Sequence, residues 1–272
     1  MTIGKVQGKT LLPLPFPKIM TSRDIPDKKK SQIFEGKIIT WTKQIKKVLD
    51  TEPEHILREN PNPDPFCELN FWKHKSQNLN SIYEQLQYKQ VQEILEFLRK
   101  SKSTFINQFE RLQKEIEISR AEANENHLYL GTLEEYFKNL MDTSFDFMQV
   151  PDLFVPIMHS IMLIYENSNH YKSPSRIVLL IREICNAIIM RAQDYIPGES
   201  IISLIQSKED IESACDRLQI TIDVCTKFKD TYFEYKVKTK GKWKFPPNAL
   251  FINLDNFLER CYDILHVTSS IQ

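Results

Sequence analysis

Residues 104–141 read TFINQFERLQKEIEISRAEANENHLYLGTLEEYFKNLM. Phe105, Phe109, Leu112, Ile116, Ala123, Leu130, Leu133, Phe137 and Leu140 recur at steps of three, four or seven residues, with charged and amide residues between them. Side chains three and four apart share one face of an α-helix, so this period predicts a long amphipathic helix. Unbroken, it would be roughly 57 Å long at about 1.5 Å per residue. Gly131 and the polar run Asn124–Asn126 are where it is expected to bend or break.

The same period continues on both sides. Ile38, Trp41, Ile45 and Val48 predict a helix from about Lys29 to Leu49. The prolines of ENPNPDP (59–65) stop it, since proline lacks the N–H a helix interior needs. Leu69, Trp72, Leu79, Ile82 and Leu86 mark a second helix from about Pro65, and Val91, Ile94, Leu95 and Leu98 a third that is either separate or continuous with it. Pro151 suits a first turn before Leu153, Ile157, Ile161 and Ile164. Ser173-Pro174 repeats that start signal. Ile177–Ile181 is apolar on every side and marks the helix of residues 174–195 as central. Ile211, Cys215, Leu218, Ile222, Cys225, Phe228, Tyr232 and Tyr235 form the next stripe. After the corner KGKWKFPPN (240–248), Leu254, Phe257, Cys261 and Leu265 form the last.

The sum is an all-α chain of seven to nine helices with no convincing strand. Helices this long favour an elongated array of bundles with shallow crossing angles. The expected organisation is an extended Pro-rich arm (1–28), a first bundle with the long helix (29–145) and a second bundle (146–272). In the arm, TLLPLPFPK alternates proline with leucine and phenylalanine, which suits an extended strip lying on another surface.

Composition narrows the function. A chain of 272 residues is one large domain or two small ones. Its 36 Lys and Arg balance 36 Asp and Glu, which argues against nucleic acid or an anionic membrane as the main partner. Only 6 glycines are present, too few for the tight turns and phosphate loops of sheet-based nucleotide folds. The five cysteines (Cys67, Cys185, Cys215, Cys225 and Cys261) are odd in number and mostly on apolar stripes, the pattern of buried free thiols in a reducing compartment. The apolar region Leu153–Tyr165 is broken by Pro156, His159 and Ser160 and falls short of the ~20 apolar residues of a membrane span. The start, MTIGKVQGKT, lacks the apolar core of a signal peptide, so an intracellular, soluble protein is expected.

Motifs for chemistry are weak. Gly4-Lys5-Val6-Gln7-Gly8-Lys9-Thr10 resembles a phosphate loop, but three residues separate its glycines where four are needed. LLPLPFP then follows where a helix N-terminus must hold the phosphates. No histidine lies three to five residues from another or beside a cysteine, and Cys215 and Cys225, ten apart, cannot share an ion. His127 on the long helix reads as an interhelical hydrogen-bonding residue. Glu134-Glu135 and Glu209-Asp210 are explained by solvation and by complementing a helix N-terminus. No catalytic, cofactor-binding or metal-ligating residue is assigned, and no cofactor is expected. Lys43, Lys46 and Lys47, with Lys28–Lys30 upstream, make a basic face whose two readings are solvent contact and docking to an acidic protein face. Phe145, Phe147 and Phe245 sit at corners, where core is the safer assignment.

Five segments, in order, resemble the N-terminal tail region of dynein heavy chains. IITWTKQIKKVL (38–49) carries Trp41, Gln44, Ile45, Val48 and Leu49 at the family's spacing. NPDPFCELNFWKHKSQNLNSIYEQL (62–86) keeps Glu68, Phe71, Trp72, Leu79, Ile82, Gln85 and Leu86, with Asp64 in place of the usual glycine. AEANENHLYLGTLEEYFKNL (121–140) resembles the Ala/Asn-rich segment before a Leu-x-x-Leu. HYKSPSRIVLLIREICNAII (170–189) matches through Tyr171, Arg176, Leu179, Leu180, Asn186 and Ile189. WKFPPNALFINLDNFLERCYDI (243–264) matches through Trp243, Phe245, Phe251, Phe257, Arg260 and Cys261. The versions here are most similar to outer-arm, beta-type axonemal heavy chains.

The resemblance implies a non-catalytic helical scaffold near the N-terminus of a large motor chain, with the ATP-hydrolysing ring far downstream. It implies as partners other dynein heavy chains, intermediate and light chains and axonemal docking proteins, and as location the cytoplasm and the axoneme of a cilium or flagellum. It leaves open whether Met1 is the natural start, and implies that the chain, ending at Gln272, is either a fragment or a truncated gene model. The competing expectation is a generic helical adaptor or tethering scaffold.

Overall fold

A computed structural model of the chain describes residues 27–54, 63–196, 208–240, 242–243 and 245–270. The phosphate-loop-like motif and the hydrophobes of the Pro-rich arm lie outside them. Nine α-helices and one 3-10 helix follow one another, with no strand among the described residues. We number the helices α1 (Asp27–Leu49), α2 (Pro65–Leu86), α3 (Lys89–Lys100), α4 (Thr104–Gly131), α5 (Glu134–Met141), α6 (Phe154–Asn167), α7 (Pro174–Tyr195), α8 (Lys208–Lys238) and α9 (Pro247–Ser269). The 3-10 helix, Phe147–Leu153, precedes α6. The fold class is all-α.

The chain forms two compact units. Among the described residues, the first comprises 27–54 and 70–127, the second 63–69 and 128–270. In the first, α1 packs on α3. Phe34 meets Phe97 edge-on at 5.2 Å, and Trp41 lies 6.3 Å from Phe109 of α4. Trp41, Ile45, Leu79, Ile82, Val91 and Leu95 have no exposed surface. Each such side chain contributes about 1.5–3 kcal/mol on burial. The break between α2 and α3 is at Tyr88, whose extended backbone (ψ 134°) ends helical geometry, while the Gln92 side chain donates to the Leu86 carbonyl at 2.6 Å. The two helices are therefore separate.

In the second unit α7 packs against α5, α8, α9 and the 3-10 helix, which makes it the centre. Ile177, Leu180, Ile181, Ile184 and Ile188 are fully buried. Ser173 and Pro174 open α7 as their signal predicts, although the Ser173 hydroxyl pairs with Ser175 at 2.9 Å instead of capping. Phe147–Asn167 is long and apolar enough to cross a membrane by composition alone. Its hydrophobes Phe154, Ile157, Met158, Ile161 and Ile164 are buried, the signature of a core helix.

One expectation is borne out, the break at Gly131, and two are corrected. The long helix ends at Gly131, because Thr132 turns back to the Tyr129 carbonyl through its N–H (3.2 Å) and hydroxyl (2.7 Å), and α5 restarts after Leu133. The helix runs straight through Asn124–Asn126, since Asn124 is held by Ser76 and Asn80 of α2 at 2.6 and 2.9 Å. Pro151 lies inside the 3-10 helix, and Pro156 takes the first turn of α6, where a missing N–H costs nothing.

Candidate functional site

The motif residues of the first unit make its core. Trp41, Ile45, Phe71, Trp72 and Leu86 are buried and Gln44 is half-buried. Phe71 and Trp72 meet edge-on at 5.0 Å, and the Lys75 ammonium lies 5.6 and 5.8 Å from their ring centres. Lys75 is itself buried, and it donates to the Leu49 and Thr51 carbonyls at 3.3 and 2.7 Å. A cation thus satisfies orphan carbonyls at the C-terminal end of α1, where the helix dipole is negative. Burial pushes the Lys75 pKa below its ordinary value, opposed by Glu52 at 3.8 Å. A polar chain joins α4 to α2: Arg120 donates to the Asn80 side-chain oxygen at 2.6 Å and lies over the Tyr83 ring.

The motif residues of the second unit tie distant segments together. Glu68 is buried, and its Oε1 accepts from the Tyr171 hydroxyl at 2.6 Å. Beside it, Glu183 of α7 is almost wholly buried, and its oxygens meet no N–H or O–H donor among the described residues. Two ionised carboxylates side by side repel, which favours a proton on Glu183. Burial first, and the Glu68 charge second, raise the Glu183 pKa well above its ordinary value. Arg176 is half-buried in the first turn of α7. Asn186 donates to the Pro63 carbonyl at 3.1 Å and accepts from Asn253 of α9 at 2.8 Å. Trp243 stacks on Tyr232 at 5.6 Å, and burial pushes the Tyr232 hydroxyl up to about 12.

A groove opens between α7 and α9. Ile189, Met190 and Gln193 form one wall, Asn256, Phe257 and Arg260 the other, with Asn186 and Asn253 also lining it. It gathers four residues that the sequence motifs carry: Asn186, Ile189, Phe257 and Arg260. Leu258, not Phe257, takes the core position, which leaves Phe257 at the groove. Amides and one guanidinium over an apolar wall are groups that bind, with no nucleophile or acid–base pair among them. Among the described residues no group of three His, Cys, Asp or Glu is arranged to hold a metal ion.

Glu183 and Lys75 were missed by motif reading. Both stand where the helical period puts a hydrophobe: Lys75 between Phe71 and Leu79, Glu183 between Leu180 and Ala187. A charge in an apolar stripe is the signal that finds them.

The profile of the dynein heavy chain N-terminal region 1 matches residues 31–272. The dynein beta chain of the flagellar outer arm of Chlamydomonas reinhardtii is 41% identical over 285 residues, covering 99% of this chain. The ciliary dynein beta chain of Tripneustes gratilla is 31% identical across 94% of this chain, and dynein axonemal heavy chain 9 of Homo sapiens 30% across 99%. This chain spans 6% of the length of each of these relatives. The buried motif residues and the match across 31–272 together place the chain in the dynein heavy chain family, in its N-terminal region.

Proposed function

We propose that this chain is a non-catalytic tail segment of an axonemal dynein heavy chain. It serves as a helical scaffold for pairing with other heavy chains, for binding intermediate and light chains, and for docking the motor through axonemal docking proteins in a cilium or flagellum. The observation that carries this role is the match to the N-terminal region across residues 31–272, shared with relatives named for the flagellar outer arm and for cilia. The chemistry of the buried groups supports it. The bonds Tyr171–Glu68, Asn186–Pro63 and Arg191–Phe145 each use a polar group to fix one segment against another. Trp41, Gln44, Ile45, Phe71, Trp72, Leu86 and Trp243 act in the same way, by shaping helices that present a surface. Neither nucleic acid nor membrane is a partner in this role.

The test is an ATPase assay on the purified chain with magnesium and ATP. A scaffold segment leaves the phosphate-release rate at the buffer background. Hydrolysis that tracks the chain through successive columns and is lost on a point substitution would remove the scaffold role.

A further inference from the structure

The exposed side of α1 carries a cluster of lysines. Lys28 and Lys29 project from its first turn, and Lys43, Lys46 and Lys47 from its last two, all exposed. Elsewhere Lys75, Lys89, Lys100, Lys138, Lys229 and Lys242 each stand within 4 Å of a carboxylate, while among the described residues Lys73, Lys102, Lys114, Lys227, Lys236, Lys238 and Lys240 do not. These five lysines of α1, which also carries Lys30 and Lys37, form no such pair among the described residues either.

The lysines act on α1 in opposite senses at its two ends: Lys46 and Lys47 in the last turn complement the negative end of the helix dipole. Cations in a first turn oppose the positive end of the helix dipole. Lys43 and Lys47 are four residues apart, where like charges repel. The chain as a whole is neutral, with 36 cationic and 36 acidic residues, so the face is a local concentration and not a general surplus. Between the two lysine groups lie Gly36 and Ile39. A Cβ added at Gly36 would meet nothing within 4 Å, and Ile39 is 36% exposed. The face is thus a shallow notch with one apolar contact, charged at both ends, about 25 Å from Lys29 to Lys46 at 1.5 Å per residue.

We propose that this face docks an acidic helix of a partner protein, which lies along α1 with its small or apolar middle over Gly36 and Ile39 and carboxylates toward both lysine groups. Charge complementarity selects this occupant. A second copy would bring lysine against lysine. A membrane surface needs apolar side chains to insert, and Ile39 is the only large exposed hydrophobe among the described residues of α1. Nucleic acid would meet no exposed aromatic on α1 to stack on its bases, and no net positive charge on the chain. The proposal names a partner surface of the scaffold and rests on that role.

The experiment uses the full 272-residue chain and a fluorescein-labelled alanine-based helical peptide with glutamates on one face of both ends. Anisotropy is read against a peptide of the same composition with its glutamates spread around the helix. The expected result is binding of the patterned peptide that weakens with salt and falls at least about tenfold in the triple variant K43E/K46E/K47E. Gly36→Leu, which fills the notch, weakens it too at a circular-dichroism melting temperature at or above that of the parent chain, while the triple variant, which sets glutamates at the negative end of α1, still melts cooperatively. Equal binding of the two peptides, no binding, no effect of charge reversal, or tighter binding of a short DNA duplex or phosphatidylserine vesicles would each overturn the proposal. If the peptide fails while the chain still co-purifies with dynein subunits, the lysine face falls and the scaffold role stands. If the peptide binds and no subunit co-purifies, the reverse holds.

Discussion

The Tyr171 hydroxyl donates to the Glu68 carboxylate at 2.6 Å across 103 residues of sequence, and both side chains are buried. A hydrogen bond to a charged acceptor in a low-dielectric site is worth more than a neutral surface bond. Tyr171→Phe keeps the ring and removes the donor. The expected loss is roughly 1.5–3 kcal/mol. Urea unfolding of a W41F/W72F background, where Trp243 is the remaining tryptophan of 3, reads the loss in the second unit. A midpoint unchanged from that background would show that the bond contributes nothing.

Glu183 sets a pH dependence with a definite sign. Its folded-state pKa is raised above the ordinary 4.5, so the native state holds a proton that the unfolded chain releases. The stability from that proton is fully present below about pH 4.5 and is lost as pH rises through the folded-state value. Glu183→Gln keeps a neutral hydrogen-bonding group of the same shape. Denaturation midpoints measured across the acid-to-neutral range should fall less steeply in the variant than in the parent chain, and parallel profiles would refute the assignment.

The thiols divide by burial. Cys185, Cys225 and Cys261 are buried free thiols, while Cys67 and Cys215 are partly exposed. Burial raises the Cys185 thiol well above its ordinary value, and pushes Cys225 up to about 12 and Cys261 to about 11. The thiolate is the reactive form. Ellman's reagent at neutral pH should therefore modify two of the five cysteines quickly in the native chain and the other three only in denaturant. Fast native labelling of all five would contradict this burial pattern.

Lys75 joins α2 to the end of α1. Lys75→Ala removes the donor that the Leu49 and Thr51 carbonyls share and leaves a cavity beside Phe71 and Trp72. The expected destabilisation is about 2–4 kcal/mol, the sum of the cavity and the unsatisfied carbonyls. Hydrogen exchange at the last turn of α1 should quicken in the same variant, and unchanged protection there would show that the lysine is not its cap.

Helix faces were legible because burial and period coincide: Trp41, Leu79, Ile161 and Phe228 all lie where the stripe puts them, with no exposed surface. Breaks were legible only where the backbone signal is local. Gly131 ends α4, yet the Asn124–Asn126 run does not bend it, because Asn124 finds Ser76 and Asn80 on α2. That compensation is invisible along the chain. Tyr171 and Glu68 were each singled out by family pattern, but their pairing depends on tertiary contact. Phe257 illustrates the remaining ambiguity: one helical position decides between core and groove, and Leu258 fills the core.

The central claim is that this chain builds the assembly-bearing tail of an axonemal dynein. The most direct measurement expresses the epitope-tagged chain in ciliated cells and sediments the detergent-extracted axonemal fraction on a sucrose gradient. The account predicts that the tagged chain migrates with dynein intermediate and heavy chains, and that antibody to the intermediate chain brings it down. A tagged chain that sediments alone, with no dynein subunit in its immunoprecipitate, would contradict it.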